Sequence, residues 1–128
     1  MKKLKHVELM KQAYNKWADG EFKGLSLKDF FEKLPVLEQT AVALGNLNYQ
    51  VGNGGFYQWE DNGYKAAHKD FLKQLERLIP YKDFPQLLAA IKLVNLATTR
   101  KNQELCDDIY YSLSGLKKQM NDYILSIQ

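Results

Sequence analysis

Two histidines, one cysteine and fifteen carboxylates are the groups in this chain with the means for acid–base, nucleophilic or metal chemistry. Their spacing gives them little to do together. His6 and His68 lie far apart, and neither belongs to a pair of histidines four residues apart around a glutamate. A zinc site needs about four Cys, His or carboxylate ligands, and the cysteine and histidines amount to three scattered residues. Cys106 is followed by Asp107 and Asp108, whose charges raise a thiol's pKa and blunt its reactivity, so an inert structural cysteine is expected. Glu60-Asp61 and Asp107-Asp108 are adjacent in sequence. On a helix such neighbours diverge by about 100°, which is not how two carboxylates flank a scissile bond. Gly52-Asn53-Gly54-Gly55 lacks both the glycine spacing of a dinucleotide loop and the Lys-Ser/Thr that closes a phosphate cradle. No catalytic residue, metal site or cofactor is expected, and the chain is not read as an enzyme.

Two other features suit binding. Lys65, Lys69, Lys73 and Arg77 recur every four residues and spiral slowly over one helix face, a possible contact for phosphates or an acidic surface. Asp70 and Glu76 dilute that stripe. The second feature is the stretch from Tyr49 to Tyr64, which carries Tyr49, Tyr57, Trp59 and Tyr64 and no lysine or arginine. Tyrosine and tryptophan concentrate the energy of protein interfaces, and an aromatic–acidic patch complements a basic partner.

The elements that must hold these residues are helical. Apolar residues recur at helical spacing and nowhere alternate as in a half-buried strand. Helices are predicted over 3–18 (Leu4, Val7, Met10, Ala13, Tyr14 and Trp17 inward), from a Ser26 cap through Phe30, Phe31 and Leu34, and over 35–51. A short turn at 55–60 follows. Further helices are predicted over 64–79 (Phe71, Leu72, Leu75, Leu78 and Ile79 inward), over 84–99 with Asp83 as cap, and over 103–126. In the last, Leu105, Ile109, Leu113, Leu116, Met120, Tyr123 and Ile127 form a seam that Ser112, Ser114 and Gly115 weaken. The fold class is therefore all-α, a single-domain bundle over 1–128 with about five main helices and one or two short ones.

Gly52 is expected to end its helix in the left-handed conformation, with Asn53 capping the next. Gly54 and Gly55 allow close backbone approach, and Phe56 and Trp59, three apart, share a buried face. On that basis Gly55→Val is expected to cost about 1–3 kcal/mol.

Composition agrees with a small globular domain: 128 residues, 45% hydrophobic and 26% charged, with net charge +3. Residues 65–101 hold eight cations and three acids, whereas residues 35–64 hold three acids and no cation. The lone cysteine suits a reducing compartment. The basic start Met1-Lys2-Lys3-Leu4-Lys5-His6 lacks the apolar run of a signal peptide, and no stretch nears the roughly 20 apolar residues of a membrane span. A cytoplasmic protein with no membrane association is expected.

Asn53, Gly54, Gly55, Phe56, Gln58, Trp59 and Asn62 together resemble the signature of the DNA-mimic-protein-19-like family of small all-helical bacterial and phage-associated proteins. Glu60 stands where that signature has a second aromatic, and Gln50 where relatives often have Glu. The resemblance implies a helical fold and a protein-binding role. It does not imply mimicry of DNA, which needs a dense carboxylate array that a chain of net charge +3 lacks. The expected function is a small non-enzymatic protein that binds and modulates another protein, of inhibitor, antitoxin, immunity or phage anti-defence type. Asn53, Tyr57, Gln58, Glu60 and Tyr64 form its expected contact surface, with Gly54, Gly55, Phe56 and Trp59 as its structural frame. The alternative is a nucleic-acid-binding module using the basic face.

Overall fold

In the computed structural model, which describes residues 2–128, the chain forms α1 (His6–Ala18), α2 (Leu27–Lys33), α3 (Val36–Asp61), α4 (Tyr64–Glu76), α5 (Pro85–Leu96), α6 (Arg100–Tyr111) and α7 (Leu116–Ser126). No strand forms among the described residues. The long α3 is the axis of the bundle and packs against α1, α2, α4, α6 and α7, while α5 sits among α4, α6 and α7. Leu44, Leu47, Leu72, Leu87, Ile91, Met120 and Ile124 fill the centre. No helix is long and apolar enough to cross a membrane.

Local signals set several boundaries. The Ser26 hydroxyl accepts the Asp29 N–H at 3.1 Å and starts α2, satisfying one of the N–H donors that a helix start leaves open. Asn62 and Gly63 turn the chain between α3 and α4, with Gly63 at φ 88°. Pro85 occupies the first turn of α5, where its missing N–H costs nothing.

Elsewhere tertiary partners overrule the pattern. In α1, Leu9 is buried and Val7 is 73% exposed, because the face between α3 and α7 is rotated toward Leu9 and Ala13. Helix α4 ends at Glu76, so Leu78 points to solvent while Ile79 turns back into the core. Asp83 does not cap α5. Gln119 of α7 does, its Oε1 accepting the N–H groups of Gln86 and Leu87 at 2.9 and 3.1 Å. The segment expected as one helix over 103–126 is broken at 112–115, and the Gln86 side chain fixes the break by accepting the Gly115 N–H at 2.7 Å. As a result α6 turns Gln103, Cys106 and Tyr110 inward and leaves Leu105 and Ile109 exposed, so the expected seam survives only in α7.

Candidate functional site: the kinked edge of α3 and α6

Helical backbone continues through Gly52 and Asn53, and the break in α3 falls two residues later than expected. Gly54 (φ −152°, ψ 16°) and Gly55 (φ 79°, ψ −179°) are the non-helical residues. The Gly55 combination is essentially closed to residues with a side chain. A Cβ there would also lie 2.3 Å from a carboxylate oxygen of Asp107, whereas one on Gly52 would meet nothing within 4 Å. Glycine is required at 55 and not at 52.

The turn of helix after the break needs an acceptor for its first N–H groups. Asn53 was expected to provide it. Instead Asp107 of α6 accepts the Phe56 N–H at 2.7 Å, a charge-assisted bond. Tyr111 donates to the Val51 carbonyl at 2.8 Å, Tyr110 donates to Asn48 Oδ1 at 2.8 Å, and the Gln103 amide donates to Glu60. One face of α6 thus grips α3 on both sides of its break.

A second set of bonds closes the kink from within. Gln50 Oε1 accepts from Gln58 Nε2 at 2.9 Å and from Asn62 Nδ2 at 3.0 Å. A Cβ on Gly54 would press into the Gln58 amide. Phe56 and Trp59 are each 1% exposed and meet edge to face at 6.3 Å, with Phe56 also edge-on to Tyr110 at 5.8 Å. The inward placement expected for this pair holds. Asp107→Ala is expected to destabilise by about 2 kcal/mol by leaving the Phe56 N–H without its acceptor, and Asp107→Asn by about half as much. Urea midpoints check this. An unchanged midpoint in the alanine variant would mean that the cap carries no weight.

Of the remaining motif residues, Asn53, Tyr57 and Glu60 are exposed. The Tyr57 ring is 49% exposed and lies under the Arg100 guanidinium, with Cζ 4.0 Å from the ring centroid. Tyr57, Arg100, Glu60, Asp61, Thr98 and Gln103 line a cleft of about 300 Å³. Tyr49 and Tyr111 are exposed on the same two helices, and Asn53 is exposed without a hydrogen bond from its side chain. Gln58 is half-buried in the kink, and Tyr64 is half-buried against the His68 ring at 6.0 Å. The patch is not free of cations, since Arg100 enters from α6. Sequence pattern missed Arg100, Gln103, Asp107 and Tyr111. The only signal for them was indirect, in that a glycine break needs an acceptor from elsewhere.

Lys65 is partly buried and pairs with Glu60 at 3.5 Å, so the exposed basic face of α4 reduces to Lys69, Lys73 and Arg77 with Asp70 among them. Helices α1 and α4 both reach Asn46 in α3, which accepts from Tyr14 at 2.9 Å and donates to His68 Nε2 at 3.1 Å. His68 is completely buried, its Nδ1 has no partner, and burial pushes its pKa down to about 4. Burial also lowers the pKa of His6, against a hydrogen bond to the Ala41 carbonyl at 2.7 Å. Cys106 is buried, and burial followed by the charge of Asp107 raises its pKa. Among the described residues no three His, Cys, Asp or Glu side chains converge as metal ligands would. Compared with protein-family models, curated proteins and solved structures, the chain matches none.

Proposed function

We propose that this chain is a small non-enzymatic protein that binds and modulates another protein, and that the kinked edge of α3 and α6 is its contact surface. One observation carries the reading. Of the residues from Asn53 to Asn62, the glycines, Phe56, Gln58, Trp59 and Asn62 all serve the kink, whereas Tyr57 stays 49% exposed and meets the Arg100 guanidinium of α6. Its ring lies under the Arg100 guanidinium and lines a cleft. Tyrosine and arginine are the residues on which interface energy concentrates. A ring already ordered by a cation loses less side-chain freedom on binding. Gly52 adds exposed backbone on the same helix, and Asp61 supplies an exposed carboxylate for a basic partner.

A photo-cross-linking residue at position 57, with one at Lys28 on the exposed face of α2 as control, tests this in cells. The expected result is one dominant covalent protein product from position 57, absent from the control and lost in Arg100→Glu. Indistinguishable products from the two positions would overturn it. With the partner in hand, a folded Tyr57→Ala, Glu60→Lys variant is expected to lose about 2 kcal/mol or more of binding. Lys69, Lys73 and Arg77 are expected to give duplex DNA only weak, salt-sensitive affinity of roughly 10⁻⁴–10⁻⁶ M, and tight, sequence-selective binding in a gel-shift assay would favour the alternative, a nucleic-acid-binding module.

A further inference from the structure

A second surface lies where the N-terminal arm meets α7. The arm is extended, and three bonds hold it there. The Gln128 side-chain amide accepts the Leu4 N–H at 2.7 Å and donates to the Leu4 carbonyl at 2.6 Å, and Asn121 Oδ1 accepts the His6 N–H at 3.1 Å. The arrangement brings Lys2 and Lys5 to the same groove as Lys117 and Lys118, a space of about 880 Å³. Among the described residues Glu8 is the one carboxylate on its walls, and its Oε1 accepts the Lys5 N–H at 3.0 Å. Lys118 has Asp122 at 2.5 Å, but among the described residues Lys2, Lys5 and Lys117 make no ion pair.

Gathering like charges opposes folding. Two of these lysines also sit in the first turn of α7, which carries no acid, and that end of a helix disfavours cations. The fold nevertheless assembles them. The groove continues into a hollow of about 270 Å³ that shares His6, Val7 and Lys117 with it. Met10 and Met120 line that hollow with Tyr49, which is 68% exposed.

We propose that this groove takes an acidic segment of a polypeptide, its carboxylates against the lysines and a neighbouring apolar side chain in the methionine-lined hollow. The lysines supply the charge complementarity, and thioether walls adapt to apolar side chains of varied shape. A single-stranded nucleic acid fits less well, because it needs successive aromatic platforms and the hollow offers one exposed ring, Tyr49.

Fluorescence anisotropy of the full chain with a labelled Glu-Glu-Leu-Glu-Glu peptide tests the assignment, with Glu-Glu-Gly-Glu-Glu and an oligothymidylate of equal charge as comparison probes. The expected result is binding of the leucine peptide that weakens with salt and falls by about tenfold or more in Lys117→Glu, Lys118→Glu. Val7→Ser is expected to erase the advantage of leucine over glycine, and Tyr57→Ala to change nothing. Both lysines are exposed, and the circular-dichroism spectrum verifies that their variant is folded. Tighter binding of the oligothymidylate, no binding of the peptide, wild-type affinity in the lysine variant, or loss in Tyr57→Ala would each overturn the proposal.

Discussion

Gly55→Val is expected to lower unfolding stability by about 4 kcal/mol, beyond the range that the glycine pattern alone implies. Two costs add. A branched side chain at φ 79°, ψ −179° is strained by about 1–3 kcal/mol. Its Cβ would also enter the space of the Asp107 carboxylate and displace the cap from the Phe56 N–H, worth about 1–3 kcal/mol more for a donor left without a partner. Neither cost arises at Gly52, where the backbone is helical and the space beyond is open. Gly52→Ala is expected to be neutral or to gain up to about 1 kcal/mol from helix propensity. Two glycines three positions apart should therefore respond with opposite sign. Urea denaturation of both variants measures it, and a Gly55→Val midpoint equal to that of the parent would rule out a tightly built kink.

The second large effect is acid sensitivity centred on His68. In the folded chain Nε2 accepts from the Asn46 amide, so protonation there would set donor against donor in a fully buried place. The folded pKa of about 4 compares with about 6.5 for the unfolded chain. As pH falls below 6.5 the unfolded state binds the proton first. The contribution of His68 is therefore complete above that pH, declines between 6.5 and 4, and is gone below 4. The decline amounts to about 2–3 kcal/mol between pH 7 and pH 4.5. His6, shifted in the same direction, adds to the slope. His68→Phe is expected to be less stable at pH 7, since it leaves the Asn46 amide short of an acceptor, yet flatter with pH over this range. Equal pH dependence in parent and variant would place the sensitivity elsewhere.

Helical content, the Ser26 cap, the Asn62-Gly63 turn and the inward pair Phe56 and Trp59 were legible because each depends on neighbours within a few positions. The residues that went astray depend on distant partners. Gly52 and Gly55 are indistinguishable in a local reading, and only the approach of Asp107 tells which must turn. Asp107 itself reads as half of a solvated acidic pair. Gln119 caps α5 from α7, more than thirty residues along the chain, where no local pattern points to it. Leu105 and Ile109 fit a coiled-coil seam until the grip of Asp107, Tyr110 and Tyr111 rotates α6 so that they face out. The exposure of Tyr57 was legible because a helix sets it about 100° from Phe56, whereas the Arg100 over its ring comes from a helix that local pattern cannot align with it.

The anchoring of the α3 kink also bears on how the chain is made. Its bonds to α6 span 43 to 62 residues of sequence, so a growing chain has synthesised all of α3, α4 and α5 before α6 can lock the angle at Gly54-Gly55 that Gln50 holds from within through Gln58 and Asn62. Until α6 emerges, the turn bearing Phe56 and Trp59 lacks the Asp107 cap and one wall of its pocket, because neither Asp107 nor Tyr110 has arrived. The natural order of assembly is then α1 to α4 around the first half of α3, with the second half setting late. Nascent chains stalled before residue 100 should expose Trp59 to solvent quenchers, and those released past residue 111 should not.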